Sequence, residues 1–572
     1  MIKARRVVAA GQTGRNIMNP RIYICLFVLV AAISILFACN NDKPAELSDR
    51  ISSFEQRLEK WRTDLKIPAF SAGIVKDKDL IWAKGFGLAD IENNIAATES
   101  TTYHLASLTK TFASIIVMQL VEEKLINPHD SISKYGISLD EAREQGLDVG
   151  SEDEITVINL LTHTAQGEPG TNYLYSGYLF GLLDQVIESA SGKTFGELVV
   201  ERIILPLDMK NTAPNIKDTL SFAFTGYDYG SFYANMAKPY ALDSLGNIEQ
   251  SELEGYFGAA AGLMSSVADM AKYSNAIDDR RFLSFRIWDK IFTQTVSQRG
   301  ESLPYGTGWF VQYLNDMKIV WHYGLWNTNS SLIIKVPEKS LTFIILANSN
   351  ELNNGFGLGN GDIFGSLFGV EFIKSFALTD EKIIDIDYDR SFMDLKQRLK
   401  NRQRSNYDDL YPKELFVRAL LSMKMGDRAK WEKLYKVYND VFAKQLPSKF
   451  DKMKLIAQID SVQNDQVLQT EFEIHELTEV QIYAIGEGAN GEMWDYGWIT
   501  DASSDEIIWK MEAKHTEPAG GDNKNRVADT RTILKPGKYK LNYKADGSHA
   551  FLQWNTLPPE IAFYGIALYV LK

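Results

Sequence analysis

A serine and a lysine three positions apart, Ser107 and Lys110, are the residues of this 572-residue chain whose types and spacing best suit covalent catalysis. Apolar residues recur four apart at Phe112, Ile116 and Leu120, which predicts a helix that opens at the serine. Residues three apart share a helix face, so we expect the amine beside the hydroxyl. A lysine takes a serine proton only where burial or another cation lowers the lysine pKa. The helix N-terminus adds a favourable dipole and free N–H groups near a developing oxyanion.

This spacing is weak evidence by itself, because ordinary residue usage gives about two Ser-x-x-Lys matches by chance in a chain of this length. A second copy, Ser131 with Lys134, follows the loop-like residues 127–130 and is interpreted as incidental. Ser107 and Lys110 also have an alternative interpretation, as a helix cap followed by a surface lysine without chemistry. The choice between the two interpretations depends on other motifs.

Those motifs are present, and with them the chain resembles the serine β-lactamase, D-alanyl-D-alanine carboxypeptidase and related esterase family, which includes penicillin-binding proteins. The resemblance covers roughly Phe70 to Asn348. Its segments in chain order are Thr102 to Lys110, Leu120 to Leu125, Leu160-Leu161-Thr162-His163-Thr164, Pro169-Gly170-Thr171 leading into Tyr175-Ser176-Gly177, Ala260 to Ser266, and His322-Tyr323-Gly324. The order of the segments and the long intervals between them agree together.

The resemblance implies that Tyr175 lies beside Ser107 and moves protons with Lys110, as a phenolate or a phenol. An ordinary buried aromatic residue with a satisfied hydroxyl is the alternative for this tyrosine. His163, in the segment that buttresses the site of relatives, is interpreted as a hydrogen-bonded core residue.

An oxyanion hole is also implied by the resemblance, formed by the backbone N–H groups of Ser107 and Leu325. Gly324, just before that leucine, is expected to leave room for a substrate that approaches the strand. His322 would line the cleft and polarise the substrate or Tyr175, with a purely structural histidine as the alternative.

Gly177 departs from the pattern of the family, since relatives place an asparagine two residues after the tyrosine. The change removes a side-chain amide that would hydrogen-bond the substrate and Lys110. Because recognition of a peptide-like lactam amide then lacks a partner, we expect an esterase or peptidase of unusual preference over an efficient antibiotic-destroying enzyme.

Other function classes find little support in the sequence. The formal net charge of -13 argues against a nucleic-acid partner, because phosphate binding needs clustered Lys and Arg. The chain has no Gly-x-Ser-x-Gly elbow, no His-Glu-x-x-His helix and no Walker-type loop. Its 7 histidines are scattered singly, so we expect no metal and no other cofactor.

The length predicts more than one domain, since single cores stop growing near about 250–300 residues. An early hairpin, a mixed middle and late strands predict an α+β domain over 48–378, with an antiparallel sheet closed by both ends and flanked by helices. Charged helical patterns predict a helical spacer over 379–470. Alternating Tyr539, Leu541 and Tyr543 and other short runs predict a β-sandwich over 471–572.

The first 39 residues resemble a bacterial lipoprotein signal peptide. Basic residues precede an apolar run from Ile22 to Phe37, and Leu36-Phe37-Ala38-Cys39 at its end resembles a lipobox with Cys39 as the expected lipidation site. An uncleaved transmembrane helix is the alternative, but the run is shorter than the roughly 20 residues that a bilayer core requires. We therefore expect an exported lipoprotein of the cell envelope, periplasmic or associated with the outer membrane.

The sequence as a whole predicts a serine hydrolase that acts through an acyl-enzyme on an ester, amide or lactam carbonyl of a small molecule or a cell-wall peptide. A catalytically weakened envelope-binding protein is the second hypothesis, suggested by Gly177. In that case the cleft holds a cell-wall peptide and the sandwich docks on glycan. Six C-terminal aromatic residues form either a sugar-stacking surface or the sandwich core: Trp494, Tyr496, Trp498, Trp509, Trp554 and Tyr564.

Overall fold

The computed structural model describes most of the chain after the predicted leader. It covers residues 47–214, 229–378, 386–442 and 450–571, apart from gaps at 244, 254, 403–406, 451–452, 490, 520–523, 552–553, 555–557 and 560–562. The chain divides into two compact units, residues 1–53 and residues 54–572. The predicted signal peptide and Cys39 lie outside the described residues. Among the helices that are described, none has the length and apolar character needed to span a membrane.

A seven-stranded antiparallel sheet forms the centre of the first domain, in the order β3-β2-β1-β11-β10-β9-β8. The early hairpin β1–β2 pairs through β1 with β11, so both ends of the domain close one sheet, as predicted. The turn residues Asp77 and Lys78 both take left-handed φ angles, which two-residue hairpins favour. The strands of this domain are β1 Ala69–Lys76, β2 Asp79–Asp90, β3 Ile95–Ala96, β4 Tyr103–His104, β5 Tyr240–Leu242, β6 Ile248–Gln250, β7 Met264–Ser265, β8 Phe310–Leu314, β9 Met317–Leu325, β10 Ser330–Val336 and β11 Leu341–Ala347.

Helices cover both faces of this sheet. On one face, Gly73 of β1 allows close approach of the helix that begins at Val267, because an added Cβ would lie 2.6 Å from the valine Cγ1. On the other face, Phe343 of β11 packs edge-on against Phe54 and stacks on Phe372. The helices are α1 Leu47–Asp64, α2 Lys110–Glu122, α3 Asp140–Glu144, α4 Val157–Leu161, α5 Gly177–Gly181, α6 Leu183–Ser191, α7 Phe195–Val199, α8 Tyr229–Ala234, α9 Val267–Asp278, α10 Phe285–Ile291 and α11 Leu367–Phe372. The predicted α+β arrangement is confirmed.

Short helical turns complete the domain between these elements. Tight single turns follow the 3₁₀ pattern, and wider turns follow the π pattern with bonds five residues apart. The 3₁₀ turns are Ala106–Thr109, Ile132–Tyr135, Pro337–Lys339, Asn350–Leu352, Leu358–Asn360 and Ile363–Gly365, and the π turns are Val200–Ile204 and Ile373–Ala377.

In the described residues of the predicted spacer, the helices are α12 Phe392–Lys400, α13 Leu410–Lys424 and α14 Arg428–Phe442. Glu414 of α13 is fully buried between Lys374 and Arg418, and these two cations overcome the desolvation that opposes its charge and lower its pKa to about 2. This buried ion cluster joins the spacer to the first domain.

Strands begin earlier than the predicted boundary at residue 471. Met453–Ile459 and the first residues of Val467–Ile474 fall in the segment that was predicted as spacer. Both strands lie at the ends of their sheet order and expose many of their side chains. Met453–Ile459 lacks a regular alternation because its register shifts between Leu455 and Ala457, whereas Val467–Ile474 alternates between exposed and more buried positions and the predicted boundary cut through it.

The C-terminal part is a β-sandwich, as predicted. One layer has the order β12-β20-β14-β18-β17 and the other β13-β19-β15-β16, and they join where β14 pairs with β15. Tyr539, Leu541 and Tyr543 point into the core, as their alternation predicted. The strands are β12 Met453–Ile459, β13 Val467–Ile474, β14 Thr478–Ala489, β15 Glu492–Asp501, β16 Ile507–Lys510, β17 Glu517–Pro518, β18 Asn525–Leu534, β19 Gly537–Lys544 and β20 Gly565–Leu571.

The C-terminal aromatic residues divide between core and surface. Trp554 and Tyr564 are buried and pack edge-on at 4.9 Å, as the core interpretation expected. Trp494, Tyr496 and Trp498 occupy alternate positions of β15 and keep part of their surface in solvent. Successive residues of a strand point to opposite faces, so these three side chains, two residues apart, share the outer face of β15.

Candidate active site

Ser107 lies in the 3₁₀ turn Ala106–Thr109, which runs directly into α2. The sequence predicted a helix that opens at the serine, and the structure places the tighter turn there instead. The Thr109 hydroxyl donates to the Ala106 carbonyl at 2.8 Å and accepts from the Leu263 N–H at 3.1 Å. The turn is thereby fastened to the segment that leads into β7.

Ala106, immediately before the serine, has a left-handed φ of 48°. Such a conformation costs a non-glycine residue about 1–3 kcal/mol and persists only where the surroundings enforce it. The His104 side chain contributes, because its Nδ1 accepts the Ala106 N–H at 3.1 Å. Sequence reasoning identified neither the strained backbone of Ala106 nor the contact from His104, since nothing about an alanine indicates a positive φ.

Lys110 is fully buried and its amine lies where the spacing predicted. Its Nζ donates to the Ser107 Oγ at 3.0 Å and to the Ala260 carbonyl at 2.7 Å. Burial lowers the pKa of Lys110 to about 7. A large fraction of the amine is therefore neutral near pH 7, which is the condition for accepting the serine proton.

The second Ser-x-x-Lys copy has a different environment. Lys134 is exposed and pairs with Asp130 at 2.5 Å, and this hydrogen bond raises the lysine pKa. The Ser131 hydroxyl caps the short turn Ile132–Tyr135 by accepting from the Ser133 N–H. The plain interpretation as a helix cap and a surface lysine therefore applies to Ser131 and Lys134, while Ser107 and Lys110 have the geometry of a reactive pair.

Tyr175 lies beside this pair. The Lys110 Nζ is 5.3 Å from the centre of the tyrosine ring, and the ring stacks on Phe310 at 6.0 Å. Burial raises the pKa of Tyr175 well above its usual value, Tyr323 adds to this, and the Ser107 hydroxyl opposes it. Its own hydroxyl is buried near the Ser107 hydroxyl but makes no hydrogen bond of standard geometry within the described part of the protein. Of the two implied forms, the neutral phenol is the one that this environment stabilises.

His163 is buried against that tyrosine, with ring centres 4.3 Å apart. Its Nδ1 accepts from the Ser176 N–H at 3.2 Å, just after Tyr175 in the chain. Burial lowers the pKa of His163 well below its usual value, and the nearby Lys110 adds to the effect. This environment agrees with the interpretation of a neutral, hydrogen-bonded core residue.

His322 has both ring nitrogens engaged by the protein. Nδ1 lies 2.7 Å from the Tyr323 carbonyl, which can only accept, so Nε2 accepts from the Tyr305 hydroxyl at 2.8 Å. Burial, with Lys110 as a second cause, lowers the pKa of His322 to about 3. The expected polarisation of the substrate is not supported by these contacts; the histidine holds Tyr305 in the aromatic cluster around Tyr175.

Gly324 allows β9 to meet the nucleophile turn. An added Cβ would lie 2.1 Å from the Leu105 carbonyl oxygen and 2.4 Å from the Ser331 Oγ. The expected reason for this glycine, room for a substrate, is therefore corrected: the space is taken by the segment that carries Ser107. The close contact brings the Leu325 end of β9 next to the serine.

The last residues of β9 have a free edge on one side. β8 pairs with β9 only as far as Trp321, whereas β10 continues along it to Leu325. In the described part of the sheet, His322 to Leu325 therefore have no strand partner on the β8 side. This edge suits a backbone N–H that donates to a reacting carbonyl, as the resemblance implied for Leu325.

Asp184 is a site residue that sequence reasoning missed. Its Oδ1 accepts the Ala259 N–H at 2.8 Å and so holds the loop whose next carbonyl, that of Ala260, accepts the Lys110 amine. Burial raises the pKa of Asp184 to about 7. An aspartate in an apolar helical segment is a signal that the sequence offered, but no spacing connected it to the lysine.

Three carboxylates, those of Glu487, Asp495 and Asp546, come within 4.8 Å of one another in the sandwich. Asp495 accepts from the Tyr564 hydroxyl at 2.6 Å and from the Asp546 N–H at 2.7 Å, and Glu487 pairs with Lys524. The Asp546 Oδ1 accepts from the Ser548 N–H at 3.0 Å, so each of the three carboxylates has at least one partner within the protein.

Known proteins match the first domain. The family model described as Beta-lactamase matches residues 53–364. Protein flp of Staphylococcus aureus (strain MW2) is 26% identical over 314 residues, which are 50% of this chain and 60% of that protein. A penicillin-binding protein of Bacillus subtilis (strain 168) is 23% identical over 312 residues, 48% of this chain and 66% of that protein.

A solved structure, that of the octameric penicillin-binding protein homologue from Pyrococcus abyssi, is 25% identical with a TM-score of 0.46. The matched region covers 53% of this chain and 74% of the chain in the solved structure. The chain spans about 60% of the length of the staphylococcal relative. The family match ends at residue 364, before the spacer helices and the sandwich.

The pKa of Lys110 predicts how activity depends on pH. Because the neutral amine is the base, kcat/KM for an ester should rise through a midpoint at about 7 and level off above it. A pH–rate profile of the purified protein between pH 5 and 9 measures this. Lys134→Met is the control and should keep the same midpoint, and a wild-type profile that is flat across the range would contradict the role of Lys110.

Gly324→Ala should displace the nucleophile turn from β9. We expect kcat/KM to fall at least 10-fold and the free energy of unfolding to fall by about 1–3 kcal/mol, as overpacking does. Ester hydrolysis and thermal unfolding measure the two effects. Gly177→Ala is the matched control, because a Cβ there meets nothing within 4 Å. Equal activity of the two variants would show that the close contact at Gly324 is unimportant.

Proposed function

The chain belongs to the beta-lactamase family, and on this premise we propose that it is a serine hydrolase acting through an acyl-enzyme on an ester, amide or lactam carbonyl. One observation carries the proposal. The Lys110 amine is fully buried, lies 3.0 Å from the Ser107 Oγ and has a pKa near 7, so an efficient base touches the nucleophile.

Acylation begins when neutral Lys110 takes the proton of Ser107 and the serine oxygen bonds to the substrate carbonyl carbon. The carbonyl oxygen becomes an oxyanion, and the N–H groups of Ser107 and Leu325 donate to it. The Ala260 carbonyl accepts from the protonated amine and so keeps it in place. Such prearranged donors need no reorganisation at the moment of reaction.

The leaving group departs with a proton from the neutral Tyr175 phenol, and Lys110 returns a proton to the tyrosine. This role suits a phenol whose pKa is raised by burial, because it stays protonated at every physiological pH. Water then attacks the acyl-enzyme and gives one proton to Lys110. Lys110 passes this proton to the departing Ser107 Oγ, so the acid and the free Ser107 hydroxyl are released with the amine neutral again.

Gly177 supports an ester or an unusual peptide as the substrate. It is exposed at the first position of α5, and an added Cβ would meet nothing within 4 Å. The space that the family's asparagine side chain would occupy is therefore open. A substrate amide therefore has one hydrogen-bond partner fewer in this cleft than in a cleft that carries the asparagine. An ester is less affected, because it has no N–H that needs a partner.

The proposed setting is the cell envelope, with Cys39 as the lipid anchor of an exported protein and a cell-wall peptide or small ester as the substrate. The outer face of β15, with Trp494, Tyr496 and Trp498, is proposed as a docking surface for glycan. Tyr496 and Trp498 lie 5.5 Å apart, and adjacent partly exposed rings suit stacking on sugars.

A second candidate function uses the same surfaces without efficient turnover. The open space at Gly177 and the aromatic face of β15 favour an envelope-binding protein that holds a cell-wall peptide in the cleft. Measured hydrolysis decides between the two candidates.

Ser107 should be labelled by a fluorophosphonate probe, and Ser107→Ala should abolish both labelling and hydrolysis of a nitrophenyl ester. Intact-protein mass spectrometry and the ester assay measure these outcomes. Ser131→Ala, in the second Ser-x-x-Lys copy, is the matched control and should retain labelling and activity. No adduct on Ser107, under conditions that label a known relative, would overturn the serine hydrolase proposal and leave the binding protein.

Gly177→Asn should improve lactam and amide substrates relative to esters. An added Cβ at this position meets nothing within 4 Å, and a single added hydrogen bond to the substrate contributes about 1 kcal/mol or somewhat more. We expect a rise of about 10-fold in the ratio of kcat/KM for a chromogenic cephalosporin to that for a nitrophenyl ester. Gly177→Ala controls for the loss of glycine, and an unchanged ratio in the asparagine variant would remove Gly177 from the account of specificity.

A further inference from the structure

Asn353 joins the ends of two strands beside the nucleophile. Its side chain is buried, with 2% of the residue exposed, and its Nδ2 donates to the Gly324 carbonyl at 2.9 Å and to the Ser331 carbonyl at 2.8 Å. Gly324 and Ser331 are directly paired across β9 and β10. The two N–H bonds of one amide therefore hold this pair together at the free end of β9.

The Gly324 carbonyl belongs to the same peptide unit as the Leu325 N–H. That unit is planar and trans, so its C=O and N–H point in opposite directions. A hydrogen bond to the carbonyl from the β10 side therefore fixes the direction of the N–H toward the free edge. It also polarises the unit, because hydrogen bonds in a chain strengthen one another.

The turn that carries Asn353 is held from outside by the spacer. Lys424, the last residue of α13, donates to the Glu351 Oε2 at 2.8 Å and to the Asn354 carbonyl at 2.6 Å. These two acceptors lie on either side of Asn353 in the chain. The Lys424 and Glu351 side chains are only 14% and 9% exposed, so this pair is shielded from water and better fixed than a surface ion pair.

We propose that Asn353 is a positioning residue for the oxyanion hole and that Lys424 extends its support to the spacer. Asn353 acts through the Gly324–Leu325 peptide and does not itself contact the reacting atoms. The spacer is then part of the catalytic apparatus, although the family match ends before it. This inference rests on the proposed serine hydrolase function.

The proposed role predicts a particular kinetic signature. The Leu325 N–H donates most strongly to the oxyanion of the tetrahedral intermediate and only weakly to a neutral carbonyl. Loss of its alignment should therefore lower kcat and leave KM nearly unchanged. A boronic acid that forms a tetrahedral anion on Ser107 should lose affinity by the same factor as kcat.

The experiment compares three variants of the full chain with wild type. Asn353→Asp keeps the shape of the side chain and replaces its N–H donors by oxygen, and Lys424→Met removes the ammonium from the turn. Lys413→Met is the matched control: it removes another lysine of α13, which pairs with Asp362 and not with the turn at residues 351–354. Nitrophenyl acetate hydrolysis, the inhibition constant of benzeneboronic acid and thermal unfolding are measured for each.

For Asn353→Asp we expect kcat and boronic acid affinity to fall together by about 10- to 100-fold, less than or equal to the loss of a whole oxyanion donor. For Lys424→Met we expect a parallel fall of about 3- to 10-fold, and for Lys413→Met no change. If Asn353→Asp fails to fold, Lys424→Met carries the test.

Two results would overturn the inference. Boronic acid affinity at the wild-type level in folded Asn353→Asp would exclude the positioning role, and equal values for Lys424→Met and Lys413→Met would exclude the link to the spacer. An active wild-type protein distinguishes both results from failure of the proposed function, in which wild type itself neither hydrolyses the ester nor binds the boronic acid.

Discussion

A lysine amine held in the interior is the interaction on which the proposed chemistry of this protein depends. In water the Lys110 amine would carry a proton at neutral pH and could not take another from a serine. Burial lowers the pKa of Lys110 to about 7, and the Ala260 carbonyl and the Ser107 hydroxyl receive its N–H bonds. Helices α2, α5 and α6 and the loop held by Asp184 surround this amine. They exclude water from it and fix the direction of its hydrogen bonds.

The position of the serine depends on an equally restrictive contact. The nucleophile turn meets β9 so closely that Gly324 has no space for a Cβ, and Ala106 takes a left-handed φ in that turn. Strain of this kind is tolerated where several neighbours enforce one conformation. His104, Ser331 and Leu263 supply those contacts by hydrogen bonds to the segment from Leu105 to Thr109.

The spacer also contacts the region around the nucleophile turn. Lys424 contacts both sides of the turn that carries Asn353, and the asparagine in turn contacts the peptide before the Leu325 N–H. Asn353 is thus one hydrogen bond from the peptide that carries the proposed oxyanion donor, and Lys424 is bonded to the turn that carries Asn353. The sandwich follows the spacer with its own core, and the outer face of β15 leaves partly exposed aromatic rings beyond that core.

The sequence by itself predicted the Ser107–Lys110 pair, through the order of several motifs and not through the spacing alone. It also predicted the overall architecture, because periodicity along a helix and alternation along a strand are local properties. It identified Ser107 and Lys110, the sheet closed by both ends of the domain, and the sandwich. The motifs had already set Lys134 aside, but only the tertiary structure showed that the Lys110 amine is buried and the Lys134 amine exposed, since dehydration of an amine depends on every element packed around it. It also decided the neutral form of Tyr175 and the true neighbours of Gly324, which come from residues distant in the chain.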